Sequence, residues 1–289
     1  MGALLYYISF PFIYLISLLP FRALYFLSDL FYVLVYKLIG YRRKVTINNL
    51  RKSFPDKPEK EIKDIGRTFY HYLCDLALEI IKTLTISPAD VDKHIRFEDT
   101  ALIERFKSEN RSIIIVLGHF GNWELGGPAF SLKKLHTLYV IYHPLSNKHF
   151  DKLFYHMRTR LGTKLYSMNN TLRGMISNKS HLTATGFIAD QTPFAESAYW
   201  TTFLNQDTPF FTGAEKLAVK FNYPVVYISI DRVRRGLYSM RSELISENSA
   251  ETKENEITES FARRLEEDIL RKPEIWLWSH RRWKHKRNG

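Results

Sequence analysis

Residues 113–124 read Ile113-Ile114-Ile115-Val116-Leu117-Gly118-His119-Phe120-Gly121-Asn122-Trp123-Glu124. Five branched aliphatic residues in a row describe a strand covered on both faces, the pattern of an inner strand in an α/β sheet. Gly118 and Gly121 let the chain turn sharply after it. Asn122 is of the type that caps a helix, here one beginning at Trp123 with Glu124 in its first turn. A histidine and a carboxylate thus stand at the exit of a central strand, where open α/β sheets place their ligands.

Spacing alone does not single out this pair. The chain has ten histidines and 30 acidic residues, and His94 with Asp99 repeats the same five-residue step. That second match lacks the apolar run and the glycines, and it follows the polar turn Ser87-Pro88-Ala89-Asp90. His94 is read as an ordinary surface or loop residue, and His119 is favoured by its context.

The pattern continues on both sides. Strands are expected at 112–117, 136–142, 182–189, 224–230 and 237–244. Helices are expected at 101–108, 123–133, 148–161, 171–178, 213–221 and 257–270. This alternation predicts a mixed central sheet flanked by helices. Upstream, Ile62, Ile65, Phe69, Leu73, Leu76, Ile80 and Leu84 recur at helical steps over 57–84, with Pro58 near the start and Ser87-Pro88 closing the segment. Residues 246–256 are polar and acidic and read as an exposed loop.

The first forty residues differ in kind. Residues 3–21 carry no charge and are rich in aromatics, over about the 20 residues a membrane-spanning helix needs. A second apolar arm, 23–36, is interrupted by Asp29; Arg22 lies seven residues before it, too far for a direct pair on one helix. Arg42-Arg43-Lys44 follows. No lysine or arginine precedes the run, so a cleaved signal peptide is not expected, and the basic flank places the following domain on the cytoplasmic side. Pro11 and Pro20 allow either a span with an interfacial helix or a re-entrant hairpin; a buried pair of core helices is the competing arrangement. Residues 1–40 are therefore taken as a membrane anchor and 41–289 as the catalytic domain.

Composition narrows the partners. With 42 lysines and arginines against 30 acidic residues, the formal charge is +12. This calls for an anionic partner: lipid headgroups, an acidic carrier protein or nucleic acid. One cysteine, Cys74, excludes an internal disulfide framework and a zinc–cysteine cluster. His143, His149 and His156 recur at six- and seven-residue steps, and no His-Glu-x-x-His is present, so no metal is expected.

Histidine can take a proton from an alcohol near neutral pH, and a carboxylate partner fixes its tautomer and stabilises the imidazolium. The sequence has no Gly-x-Ser-x-Gly nucleophile elbow. The chemistry expected is direct attack by a substrate hydroxyl, with His119 as base and Glu124 as its partner. Gly118, Gly121, Gly126 and Gly127 match neither a Walker loop nor a dinucleotide fingerprint, and are read as permitting close approach of a ligand headgroup. Asp190-Gln191-Thr192-Pro193 ends a second strand; it faces the same crevice or serves only as a turn. Arg158 is free to meet a phosphate or to solvate a helix face. Residues 276–287 interleave aromatics with cations, read as an interfacial strip on anionic lipid rather than a nucleic-acid surface.

With these residues assembled, the chain resembles the lipid A biosynthesis acyltransferases, the bacterial lauroyl and myristoyl transferases within the wider glycerolipid acyltransferases. The resemblance runs nearly the full length, in separated blocks: "RKVTINNLRKSFP" at 43–55, "GHFGNWELGG" at 118–127, "YHP" at 142–144 with Asn147, Asp151 and Arg158 after it, "LRGMI" at 172–176, "ADQ" at 189–191, "TPFFTG" at 208–213 and "PEIWLWSHRRWK" at 273–284. Their joint order is more specific than any one block. His143 stands where the family often has arginine, and Thr192-Pro193 follows Asp190-Gln191 where many relatives have glycine.

The resemblance implies a glycerolipid-acyltransferase-like fold, His119 and Glu124 as the catalytic pair, and Asn122, Tyr142, Arg158, Asp190 and Gln191 at the substrate. It implies an acyl donor held as a thioester on acyl carrier protein, a lipid A precursor as acceptor, no cofactor, and the cytoplasmic face of the bacterial inner membrane. Two alternatives stay open: an acyltransferase for another envelope lipid, such as a lysophospholipid, aminolipid or glycolipid, or a membrane-tethered basic protein without catalysis.

Overall fold

The computed structural model describes residues 2–287 apart from 194, 195 and 197. Its centre is a seven-stranded sheet in the order β1-β9-β8-β2-β5-β3-β4. The strands are β1 (Ile95–Phe97), β2 (Ile113–Leu117), β3 (Thr137–Tyr142), β4 (Lys164–Ser167), β5 (Thr183–Ile188), β8 (Val225–Arg234) and β9 (Leu237–Ser246). All neighbours pair in parallel except β8 and β9, which form an antiparallel hairpin. Parallel neighbours need helical crossovers, and these supply the two covering layers.

β2 shows why the aliphatic run is continuous. Ile114 and Val116 face one layer with Tyr227 of β8, against Phe69 and Leu76 of α4 (Glu59–Lys82), Ala218 of α10 (Gly213–Phe221) and Leu265 of α11 (Glu256–Arg271). Ile113 and Ile115 face the other layer with Val226 and Ile228. There they meet Val91 of α5 (Pro88–His94), Phe106 of α6 (Ala101–Ser108) and Phe130 of α7 (Trp123–Leu132). A strand buried on both faces cannot alternate polar and apolar residues.

The expected helices at 101–108 and 213–221 coincide with α6 and α10, and the remaining expected helices and strands keep their type with ends moved by a few residues. α8 spans Lys148–Thr159 and α9 Thr171–Ser177. Four elements were not anticipated beside β1 and β4: α3 (Arg43–Ser53), α5, and the separate hairpin of β6 (Tyr199–Phe203) and β7 (Gln206–Phe210). Residues 246–256 hold one short 3₁₀ turn, Ser249–Glu251, in which Ser249 is buried.

The apolar run 3–21 is divided. α1 (Gly2–Leu18) ends before Pro20, and α2 (Phe21–Tyr32) continues into a π-helical stretch, Val33–Ile39. Seventeen residues of α1 reach roughly 26 Å, and no single helix among the described residues is long and apolar enough to cross a membrane. Phe21–Ile39 and Arg43–Ser53, bent by 90°, reach that length and apolarity only together.

These helices also lie against the domain. Ser28 donates to Asp75 at 2.6 Å and Tyr25 to Glu79 at 2.7 Å, both on α4. Arg235 bridges Asp29 and Asp75 at 2.7 and 2.6 Å. The opposite face is bare: Leu4, Phe12, Leu15, Phe26 and Leu38 are all more than half exposed.

Candidate active site

The register of β2 on β5 builds the site. Leu117 pairs with Ile188, and the ladder extends one bond further, Ala189 N–H donating to the Leu117 carbonyl at 3.0 Å. Two residues beyond each partner stand His119 and Asp190. Asp190 Oδ1 accepts from His119 Nδ1 at 2.6 Å, and its Oδ2 accepts from the His119 backbone N–H at 3.0 Å. The same Oδ2 accepts from the Trp276 indole N–H at 2.8 Å.

The carboxylate against His119 is therefore Asp190, and Glu124 lies elsewhere. Glu124 receives a two-pronged contact from Arg158 of α8, Nε to Oε2 at 2.9 Å and Nη2 to Oε1 at 2.5 Å. A helix begins between His119 and Glu124, and it turns their side chains to different partners. Sequence spacing could not register this, because Asp190 arrives from a strand 71 positions away.

Asp190 is almost wholly buried. Burial by itself raises a carboxyl, but the charge and hydrogen bonds of His119, with the charge of Arg282, outweigh it and hold Asp190 well below the usual carboxylate range. A carboxylate only accepts, so it fixes the proton of His119 on Nδ1 and leaves Nε2 as an acceptor. Nε2 lies 3.1 Å from the Gln191 amide nitrogen, which donates to it. Trp123 meets the imidazole edge-on at 4.7 Å between centroids.

Asn122, expected at the substrate, is fully buried. Its Oδ1 accepts from the Leu125 N–H at 3.0 Å, capping α7, and its Nδ2 donates to Glu79 at 2.7 Å. Glu79 also accepts from Tyr25 and Tyr238, each at 2.7 Å, and burial pushes its carboxyl up against those hydrogen bonds. Asn122 thus ties the site helix to α4 from beneath. Tyr142 ends β3 two residues past the Val140–Gly186 pair, on the same sheet edge as Leu117 and Ile188. Asn147 caps α8, and Asp151 accepts from the Leu145 N–H at 2.8 Å, shaping the loop that follows.

Gly118 and Gly121 are required by packing, whereas Gly127 lines two small cavities beside Trp123. Gly121 adopts φ +63°, and a Cβ there would lie 1.7 Å from the Ile230 carbonyl oxygen. At Gly118 a Cβ would come within 2.6 Å of Leu265. Both hold the His119 turn tight on its neighbours. His94 stacks on Phe21 at 3.5 Å and binds the Gly236 carbonyl, at the C-terminal end of α5. His149 stacks on Tyr6 at 5.3 Å.

The C-terminal strip also departs from expectation. Trp276, Trp278 and Arg282 are buried, whereas Arg281 and Lys284 are exposed. Its backbone runs beside the His119 turn: Gly121 N–H donates to Ile275 O at 3.0 Å, and Leu277 N–H to His119 O at 3.2 Å. Arg282 lies among the rings of Phe210, Phe203 and Trp276, at 4.8, 5.2 and 5.6 Å from their centroids. Burial pulls its guanidinium down to about 10 against the attraction of Asp190, and its Nε and Nη2 have no hydrogen-bond partner. Trp276 and Arg282, read from the sequence as part of a lipid-facing strip, turn inward to the site; the "WLWSHRRW" spacing marks the block but not its inward faces.

Beside Trp123 lie two small cavities of about 60 and 50 Å³. Val140, Gly127 and Ile188 line both, and Glu124 and Arg158 stand at the edge of the larger. Among the described residues no cluster of histidine, cysteine and acidic side chains is arranged to hold a metal.

Comparison with known proteins identifies the family of the chain. Residues 2–285 match the family described as bacterial lipid A biosynthesis acyltransferase. The chain is 23% identical over 268 residues to the lipid A biosynthesis palmitoleoyltransferase of Escherichia coli (strain K12), covering 92% of this chain and 86% of that protein. It is similar to the same extent, 23% over 268 residues with the same coverage, to the lipid A biosynthesis acyltransferase of Shigella flexneri. The strand-exit histidine therefore sits in a chain that belongs to the bacterial lipid A biosynthesis acyltransferase family and is an acyltransferase.

Proposed function

We propose that the chain moves a fatty acyl group from an acyl carrier protein thioester to a hydroxyl of a lipid A precursor. The observation that carries this reading is the half-locked imidazole: Nδ1 bound to Asp190, Nε2 turned to a replaceable amide. An acceptor hydroxyl takes the place of Gln191 at Nε2. As its oxygen attacks the thioester carbonyl, His119 removes the proton; Asp190 stabilises the imidazolium that forms. The tetrahedral intermediate collapses with cleavage of the C–S bond, and the leaving thiolate takes the proton back from His119.

Glu124 enters through Arg158. The carboxylate holds the guanidinium by two of its nitrogens, fixing a cation near the crevice for the developing oxyanion or an acceptor phosphate. Tyr142, at the same sheet edge, lines the approach. The cavities beside Trp123 are lined chiefly by apolar side chains, the surroundings that the start of an acyl chain requires.

Residues 1–40 seat the enzyme on the bacterial inner membrane. The exposed apolar side chains of α1 and α2, Leu4, Phe12, Leu15, Phe26 and Leu30 among them, support this seating, and the basic cluster Arg42-Arg43-Lys44 favours a catalytic domain on the cytoplasmic side. The net charge of +12 suits both an acidic carrier protein and an anionic lipid.

The test is an assay with detergent-solubilised protein, acyl carrier protein loaded with C12–C16 chains, and an underacylated lipid A precursor, read by mass spectrometry. Acyl addition by wild type and its loss in His119→Ala support the reading. Transfer surviving His119→Ala sinks the mechanism, and product with another envelope lipid alone replaces the acceptor.

A further inference from the structure

α3 and the C-terminal strip enclose a groove of about 900 Å³, well away in sequence from the His119 turn. Arg43, Lys44, Arg51 and Lys63 line one side, and Arg281 and Lys284 the other; no aspartate or glutamate lines it. Glu59, just outside, pairs with Arg51 at 2.6 Å and Lys63 at 3.5 Å. Among the described residues Lys44, Arg281 and Lys284 have no carboxylate within ion-pair distance and lie open to solvent. Concentrated like charge in a concave site costs the fold self-repulsion, and an anion removes that cost.

The walls are fixed before any ligand arrives. Asn49 of α3 donates to the carbonyls of Trp278 and His280 at 2.9 and 3.1 Å, and Arg42 donates to Ser279 O at 3.1 Å. Two segments more than 220 positions apart are thus held as one cradle.

The groove also has a neighbour of a definite kind. Leu38 and Ile39, 74% and 63% exposed, end the π-helical stretch, and the chain turns by 90° at Gly40–Arg42 into α3. Apolar surface gives way to unpaired cations across that one bend. A membrane lipid has the same order, acyl chain then phosphate. An acidic protein would match the cations and leave the apolar face in water.

We propose that this groove binds the phosphate-bearing headgroup of an anionic phospholipid of the membrane. The inference rests on the membrane seating of residues 1–40, and it is separate from acyl transfer because no groove cation bonds to His119, Asp190 or Glu124 among the described residues.

Vesicle flotation of the full chain tests it, with phosphatidylcholine vesicles and with vesicles containing phosphatidylglycerol. Wild type is expected to partition more strongly onto the anionic vesicles. Lys44→Ala/Arg281→Ala/Lys284→Ala should lose roughly 10- to 100-fold of that partition, from the removal of three cations near an anionic surface. A control of equal charge change, Lys179→Ala/Lys216→Ala/Lys220→Ala, should keep it, and inorganic phosphate at equal concentration should not compete. Should the triple variant lose its native melting transition, Lys44→Glu and Lys284→Glu singly give the same comparison. Equal losses in groove and control variants, or none in the groove variant, overturn the site. So does unchanged vesicle binding with a raised KM for the lipid A precursor, which assigns the groove to the acceptor. Wild type that floats with neither vesicle fails the membrane seating itself, a result distinct from failure of the groove.

Discussion

The Asp190 carboxylate lies 2.6 Å from His119 Nδ1 across two adjacent parallel strands, and its second oxygen gathers the His119 N–H and the Trp276 indole. This leaves Glu124 to Arg158. Replacing Asp190 by asparagine offers an amide in place of an acceptor and permits the wrong tautomer. Asp190→Asn is expected to lower kcat by about 10³–10⁴ with little change in KM. Glu124→Gln should act chiefly on KM and on oxyanion stabilisation, through a loosened Arg158. Steady-state kinetics on both variants separate the roles; a near-normal Asp190→Asn beside a dead Glu124→Gln would reverse them.

Asn122 should behave as part of the scaffold. Asn122→Ala removes the cap of α7 and strips one donor from buried Glu79, a loss of about 2–3 kcal/mol. The melting temperature falls, and activity falls through misplacement of the turn. A raised KM with an unchanged melting temperature would instead return Asn122 to the substrate.

Arg282 is a buried cation without hydrogen bonds on two of its nitrogens. Arg282→Met removes an unfavourably buried charge, so folding stability is expected to hold or rise. The charge of Arg282 helps hold Asp190 well below the usual carboxylate range, so its loss weakens that hold and kcat is expected to fall. Arg282→Lys, which keeps a cation, should lose less. Equal losses in the two variants would mean a packing role alone.

His280 is held neutral, its pKa pulled down to about 4 by burial and then by the charge of Arg282. The unfolded chain takes up this proton near pH 6.5. Acidification between about 6.5 and 4 therefore favours the unfolded state, and below that window both states are protonated and the effect stops growing. Thermal melts should show wild type losing stability across this range more steeply than His280→Gln. Parallel slopes for the two proteins would exclude His280 as the source.

The strands at 113–117, 137–142 and 183–188 were legible because each is a short apolar run between turn residues. The pairing of β2 with β5 was not, since their order in the sheet follows from the whole topology and not from either segment. Asp190 could thus be placed at a strand exit but not against a particular histidine. β6 and β7 escaped notice because Gln206, Asp207 and Pro209 disguise a strand that pairs only with its hairpin partner. The tryptophans and arginines of the last block looked like a wet surface because their composition matches one. Only the packing against Phe203 and Phe210 distinguishes Arg282 from Arg281.

Trp276 has one consequence for the life of the chain. Residues 273–282 leave the ribosome after every other part of the site, and Trp276 supplies the bond that completes the acceptor set of Asp190. A chain lengthening from its first residue therefore holds the imidazole and its carboxylate half-supported until residue 276 has been added, and the base acquires its full set of bonds only when this segment docks beside the His119 turn.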